Sequence, residues 1–346
     1  MIDSLCSGYV KGPGYSGYDV FLLSRVTHLL LARARPRRQG HDHVAGFNVA
    51  AMRPLLRSRW LGVATHNIMN GVNLGPLLAA YRRLQRDRGL HVLCIQEHVA
   101  GAAAAIARSL GGRYAVARHD ATPRLVILYD RTVLSLRRAR CARLPLLDRV
   151  PLWQRLYAGG LPEQKTGLIV SFRAARGKLT VANFHLDAAG YNEHRGAQLS
   201  ALSRAIAADS ARSSFQYCPP LVACGDTNAF TWQKRHAEPE LARMLEPLRR
   251  QHGARDAHAD HPRDNHFFAR AHEPKIGQRI AVAVGRVGVD FPRRYDVICS
   301  SLPIVACGMV TTPASDHDLV WAHVGRSPAR AGGAPRRAWR HQGGVG

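Results

Sequence analysis

From Trp60 onward the chain alternates short apolar runs with longer amphipathic ones. Trp60–Ile68 reads as a strand, and Leu74–Arg88 as a helix with Leu77, Leu78, Tyr81 and Leu84 on one face. Val92–Gln96 is a short buried strand, and the Ala-rich Ala100–Leu110 is a helix ending at Gly111-Gly112. Leu125–Tyr129 and Val133–Arg137 are predicted to form a hairpin, and Leu168–Phe172 and Leu179–His185 flank a turn at Arg176-Gly177. Glu193–Ala208 and Glu238–Arg250 are helical, with the strand Leu221–Gly225 between them. Residues 251–294 are polar, rich in His and Asp, and read as a long loop with some ordered parts. The strands Tyr295–Ser300, Ile304–Met309 and Asp318–Val324 close the pattern. Many strands at hairpin spacing, interrupted by a few long helices, predict sheets covered by helices.

The flanks differ from this region. Residues 1–58 form an N-terminal extension in which Val20, Leu23, Leu30 and Leu31 line one face of a short helix. That face, within residues 19–38, suits peripheral contact with a membrane surface, while packing on the domain or disorder explains it more plainly. Met52 offers an alternative start of translation just ahead of the first predicted core strand. Residues 59–324 form the expected folded domain, and 325–346, full of Gly, Pro and Arg, a disordered basic tail. There is no apolar run of about 18 residues, so a spanning helix is not expected. Seven scattered cysteines without a secretory signal point to a reducing compartment, and a cytoplasmic location is the expectation.

Charge adds a partner class. The chain has 346 residues, with 49 Lys and Arg against 24 Asp and Glu, a net charge of +25. Residues 1–58 carry eight basic and three acidic residues and residues 325–346 five basic and none acidic, so the central region keeps 25 − 5 − 5 = +15. A basic core suits a polyanionic partner such as DNA, RNA or an anionic membrane. Only five of the basic residues are Lys, so biased coding accounts for the excess of Arg equally well.

Candidate chemistry sits at the ends of the apolar runs. Five polar clusters occur in order: Thr65-His66-Asn67-Ile68, Ile95-Gln96-Glu97, Asn183-Phe184-His185-Leu186, Gly225-Asp226-Thr227-Asn228 and Ser315-Asp316-His317. Each follows a strand-like stretch, so folding can gather them at one sheet edge. A strand-end carboxylate such as Glu97 makes a ligand for a hard cation, and the Asn67 amide can ligate it or position a carboxylate. Asp226 can take a proton from water while Asn228 orients the water or a phosphate oxygen. His317, directly after Asp316, sets a proton-transfer group beside a metal ligand. Asp296, opening the last group of strands, is suited to hold that imidazole in one tautomer. His185 adds a second imidazole for a phosphate oxygen. Taken singly, each cluster also reads as a solvated strand end or an Asx-turn.

The ordered set resembles the endonuclease/exonuclease/phosphatase superfamily, which includes pancreatic deoxyribonuclease, neutral sphingomyelinases, inositol polyphosphate 5-phosphatases and tyrosyl-DNA phosphodiesterases. The resemblance covers roughly residues 60–324. It implies a four-layer α/β sandwich with two mainly antiparallel sheets, and a Mg²⁺- or Mn²⁺-dependent hydrolase of phosphate esters. By it, Asn67, Glu97 and Asp316 bind the cation, Asp226 activates water, Asn228 orients the scissile phosphate, His185 holds a phosphate oxygen, and His317 paired with Asp296 stabilises developing charge. Asn183-Phe-His185-Leu-Asp187 with Arg195 and Gln198, together with Gly-Asp-Thr-Asn and Lys165-Thr-Gly, is similar to the sphingomyelinase and tyrosyl-DNA phosphodiesterase side. His66 stands where an aromatic residue is usual, and Leu319 where Pro is common. A nucleic acid or nucleotide-like ester is the expected substrate, with a sphingomyelinase- or inositol-phosphatase-like hydrolase as the alternative.

Two other constellations compete. Asp256, His258, Asp260, His261, Asp264 and His266 form a local cluster that invites a second metal site, although such spacings in loops are usually just solvated. Asn265-His-Phe-Phe-Ala-Arg270 interleaves aromatics with Arg, which suits contact with a base or lipid or, more plainly, core packing.

Overall fold

The computed structural model describes residues 60–325, except 72, 148–163, 175–176, 212–218, 232–233, 268–269 and all but two of 271–292. The expectations for residues 1–58 and for the tail beyond Gly325 lie outside the described residues.

Two six-stranded sheets stack face to face. The first contains β1 (Trp60–Asn67), β2 (Val92–Gln96), β3 (Tyr114–Ala117), β4 (Val126–Asp130), β11 (Ile304–Val310) and β12 (Leu319–Gly325), in the order β11-β12-β1-β2-β4-β3. The second contains β5 (Leu134–Arg143), β6 (Thr166–Ala174), β7 (Gly177–His185), β8 (Leu221–Asp226), β9 (Arg255–Asp256) and β10 (Asp296–Ser300), in the order β5-β6-β7-β8-β10-β9. Pairing is antiparallel except for one parallel pair at the centre of each sheet, β1 with β2 and β7 with β8. A parallel pair needs a crossover. Here α1 (Leu74–Arg88) provides it in the first sheet and α3 (Asn192–Ala211) in the second.

Successive residues of a strand point to opposite faces, and both faces of these sheets are buried, which is why the strands read as unbroken apolar runs. Val63, Cys94, Ile127, Val170, Val181, Cys224 and Ile298 meet between the sheets. The opposite faces carry Ala64, Leu93 and Leu128 under Leu77, Tyr81 and, from α2 (Ala102–Leu110), Ile106. On the other side Ala182, Phe184 and Ala223 lie under Leu199 and Leu202 of α3 and Leu241 and Leu248 of α4 (Lys234–His252). The expected four-layer sandwich is the one observed.

One predicted contact is corrected. Leu125–Tyr129 and Val133–Arg137 do not form a hairpin, because β4 already has β2 and β3 on its two sides and β5 pairs with β6. The turn between them carries the chain from one sheet to the other. Asp130 shapes it by accepting hydrogen bonds from the Thr132 N–H (2.9 Å) and hydroxyl (2.6 Å). The short strands β3 and β9 had no signal in the apolar pattern.

No helix among the described residues is long and apolar enough to cross a membrane. Cys94, Cys224 and Cys299 are buried free thiols, as their apolar settings suggest.

Candidate active site

At one edge of the sandwich the apolar layer between the sheets gives way to polar side chains of the same alternation. Val63, Val181, Cys224 and Ile298 face the inter-sheet core. Counting by twos along each strand puts Asn67, His185, Asp226 and Asp296 on that inward face. Register aligns the second sheet's contribution, since His185 and Asp296 are both partners of Asp226 on either side of it. In the first sheet Asn67 lies opposite Gln96, and Glu97 follows directly. Glu97 (φ 55°) and Asn228 (φ 47°) adopt left-handed backbone, the strained type of conformation that clusters at functional sites.

Asp226 is the hub. Asn67 Nδ2 donates to its Oδ2 at 3.0 Å, and the Asn228 N–H donates to Oδ1 at 2.8 Å. His185 Nε2 and His317 Nε2 stand 3.6 and 3.7 Å from Oδ2. Burial by itself would raise the Asp226 carboxyl. The two imidazoles and the two hydrogen-bond donors outweigh it and hold the group below its ordinary value. The remaining amide of Asn228 donates to Leu186 O at 3.0 Å, so this side chain ties the β8 end to the β7 end.

His317 Nδ1 lies 2.6 Å from Asp296 Oδ2. Burial alone would lower the imidazole, but Asp296, Asp226 and Asp316 together raise it well above its usual value. Burial pushes the Asp296 carboxyl up to about 7, against the pull of His317. Burial likewise lowers the His185 imidazole, with Lys165 adding to the effect. The site therefore holds one cationic imidazole and one neutral one around a carboxylate.

The loop bearing Ser315, Asp316 and His317 is held from three sides. Ser315 Oγ donates to Asn67 O at 2.8 Å. His66 Nε2 lies 3.2 Å from His317 O, and its Nδ1 lies 2.8 Å from the Tyr81 hydroxyl. Burial lowers His66 to about 3, so it is neutral, donating to the carbonyl and accepting from Tyr81. Phe267 N donates to Asp316 O (2.8 Å), and Asp318 N to Asn265 O (2.7 Å). Asp316 is held below the ordinary carboxylate range against the effect of burial, by His266 and His317. Glu97, with 22% of its side chain exposed, meets Arg124 at a loose 3.5 Å.

All eight residues singled out from the sequence lie at this edge. The structure gives contacts to others that the sequence motifs named without assigning them a role. Asn183, inward-facing on β7, accepts from Gln96 Nε2 (2.7 Å) and donates to the carbonyls of Ile95 (2.8 Å) and Val126 (2.9 Å), clamping one sheet to the other beside the site. Asp187, Arg195 and Gln198 form a buried network that holds the loop after β7 to α3, with Gln198 Nε2 donating to Asp187 Oδ2 at 2.7 Å and Arg195 Nε to Asp187 O at 2.8 Å. Asn265 accepts from the N–H groups of Tyr295 (2.8 Å) and Asp296 (3.1 Å) and donates to Asp296 O (2.8 Å), fixing the start of β10. The six-residue Asp/His cluster does not assemble. Asp256 pairs with Arg294 at 2.7 Å, whereas His266 alone of the six reaches the site, where its Nε2 lies 3.6 Å from Asp316 Oδ2. The strand-like pairing of His266 with Arg293 and with His317 makes the difference, and loop composition carried no trace of it.

No protein-family model matches the sequence, and no curated protein matches it. Solved structures do. Over 77% of this chain and 99% of the other, a D. rerio TDP2 complexed with single-strand DNA product superposes with a TM-score of 0.54 at 13% identity. An endonuclease/exonuclease/phosphatase from Bacteroides vulgatus gives 0.53 at 15% identity, covering 77% of this chain and 99% of that one. The human Nocturnin catalytic domain with bound sulfate gives 0.50 at 16% identity, covering 76% and 93%. The fold of this chain is that of the endonuclease/exonuclease/phosphatase superfamily.

Proposed function

We propose that this protein hydrolyses a phosphate ester, using water activated at Asp226 and a divalent cation, Mg²⁺ or Mn²⁺, held by Glu97, Asp316 and Asn67. The observation that carries the reading is the meeting of Asp226, His185, His317 and Asp296 within hydrogen-bonding or ion-pairing reach at the end of the inter-sheet core. The donor set fits a hard cation: two carboxylates, one partly exposed, and an amide. Asn67 uses Nδ2 on Asp226, and among the described residues its Oδ1 accepts the Met69 N–H alone (3.1 Å), which leaves a lone pair for a ligand bond. When bound, such a cation withdraws charge from the phosphate oxygens and the leaving oxygen.

The chain's own groups supply the rest. Asp226, ionised at neutral pH, accepts a hydrogen bond from water and takes its proton as the O–P bond forms and the ester O–P bond breaks in line; the leaving oxygen takes up a proton from solvent, and Asp226 returns its own to solvent. Protonated His317, with Nε2 3.7 Å from Asp226 Oδ2, neutralises charge on a non-bridging oxygen, while Asp296 holds its ring through Nδ1. His185 donates from its neutral ring to a second phosphate oxygen, and Asn228 holds the Asp226 carboxylate in its orientation.

A nucleic acid or nucleotide-like ester is the substrate class that the +15 charge of the central region favours. The similar structures include one carrying a DNA product, in line with this reading. The test is hydrolysis of a generic phosphodiester and of single-stranded DNA in Mg²⁺ or Mn²⁺. Asp226→Asn and His317→Ala are each expected to lower kcat by about 10²–10⁴-fold, and EDTA to abolish turnover until the cation is restored. Wild-type rates in both variants would overturn the assignment.

A further inference from the structure

The hard-cation reading leaves His266 without a task, yet this side chain is buried, held and aimed. Its ring stacks on Tyr295 (centroids 4.5 Å apart, 26° between planes) and meets His317 edge to face at 4.6 Å. Its backbone is pinned on both sides, exchanging hydrogen bonds with Arg293 (2.8 and 3.1 Å) while the neighbouring Phe267 N–H donates to Asp316 O. Nε2 is thereby presented to Asp316 Oδ2 at 3.6 Å, and His317 Nε2 stands 3.9 Å from the other oxygen of the same carboxylate.

We infer that His266, Asp316 and His317 form a second cation site, one that selects an imidazole-binding transition ion of the Zn²⁺ or Co²⁺ type over Mg²⁺. One donor atom from each residue falls within 4.8 Å of the others, and among the described residues no other set of His, Cys, Asp and Glu does so. Ligands of a tetrahedral Zn²⁺ at about 2.0–2.1 Å stand about 3.3 Å apart, so the imidazole–carboxylate contacts of 3.6 and 3.9 Å must close by about 0.5 Å and the widest spacing of the set by up to about 1.5 Å. Two imidazoles and one carboxylate leave a fourth position open, the pattern of a reactive rather than a purely structural site. The His317 ring is already arranged as a ligand, since Nδ1 is held by Asp296 and only Nε2 faces the cluster, the carboxylate–histidine arrangement found behind metal-bound imidazoles. Three carboxyl groups (Asp226, Asp296, Asp316) converge on His317, so a dication relieves charge repulsion that one imidazolium balances only in part. Nitrogen donors separate this site from the oxygen set around Glu97, because imidazole favours Zn²⁺ and Co²⁺ where carboxylate and amide oxygens favour Mg²⁺.

The inference rests on the proposed reading in that both place a cation beside Asp316; a transition ion on His317 Nε2 displaces the proton that the hydrolytic reading keeps there, so the two are alternative occupancies of one site, and the test does not depend on turnover. Co²⁺ binding to the full chain is followed by visible d–d absorption and by competition with a chromophoric chelator. With the Glu97 set filled by excess Mg²⁺, wild type is expected to bind Co²⁺ with an affinity that His266→Gln lowers at least about 10-fold. His266→Cys is expected to add a near-ultraviolet sulfur-to-cobalt charge-transfer band, which reports direct ligation even if His266→Gln folds poorly. No Co²⁺ binding by wild type, equal affinity in a folded His266→Gln, or no such band in His266→Cys overturns the site. Unchanged hydrolysis by Asp226→Asn would instead sink the phosphoesterase reading and leave the cobalt result standing.

Discussion

The two sheets are built alike at their centres and contribute different chemistry. In each, a parallel pair joined by a helix ends at the functional edge: β1 and β2 deliver Asn67 and Glu97, and β7 and β8 deliver His185 and Asp226. In each, an antiparallel neighbour starts where those strands end. β10 begins at Asp296 beside Asp226, and β12 begins at Leu319, one residue beyond Ser315-Asp316-His317. Parallel strands bring two C-terminal ends to one edge, and one antiparallel partner adds an N-terminal end. In the proposed mechanism the first sheet thus carries the hard-cation donors Asn67 and Glu97, and the second the proton-handling row His185–Asp226–Asp296. His317 belongs to the first sheet by sequence and to the second by its hydrogen bond to Asp296.

That division can be broken most severely at the link between the sheets. Asp296→Asn keeps the shape but removes the charge that raises His317, and kcat is expected to fall about 10²-fold or more at alkaline pH. The proposed mechanism needs His317 protonated, so by it the rate is lost as pH rises through the His317 value. Without Asp296 that value drops, and the alkaline limb of the pH–rate profile should move down by about 1–3 units. An unmoved limb would show that Asp296 does not set the charge of His317. The same coupling acts on stability. A pKa raised in the folded state stabilises fully below the unfolded value, about 6.5 for His, and is lost as pH rises through the folded value. The wild-type melting temperature should therefore fall on the alkaline side more than that of His317→Gln.

The clamp between the sheets comes next. Asn183→Ala leaves the carbonyls of Ile95 and Val126 and the Gln96 amide without this partner in a dry interior. A loss of about 2–4 kcal/mol in denaturant unfolding is expected, since each unsatisfied buried group costs about 1–3 kcal/mol. A loss under about 0.5 kcal/mol would mean that the sheets are held in place without it.

The smallest effect is expected at His66, which serves the first sheet alone. His66→Phe keeps the packing and removes the bonds to Tyr81 and to the His317 carbonyl. A loss of about 1–3 kcal/mol of stability, because the Tyr81 hydroxyl and the His317 carbonyl lose this buried partner, and less than a tenfold fall in kcat are expected. A larger loss of kcat than Asp296→Asn produces would reverse the order of importance of the two supports.

Much of this was legible from residues alone, for a reason particular ones make clear. Strand ends such as Leu-Val-Ala-Cys-Gly-Asp226 and Val-Leu-Cys-Ile-Gln-Glu97 announce themselves because both faces of each strand are buried, so the first polar residue marks the edge. Asn183 was visible only as part of a motif, since nothing local says that an inward amide will find the opposite sheet. The predicted hairpin failed at Asp130–Val133 because a short turn can serve one sheet or bridge two, and the free partners of β4 decide which.

Local alternation and propensity, short-range effects written in neighbouring residues, were enough to set the strands, the helices and the polar residues that end them. Which ends meet, how His66 and His266 reach the Ser315–His317 loop, and which imidazole carries charge were decided by strand register and by burial. Those quantities exist only once distant segments have packed and water has been removed from between them.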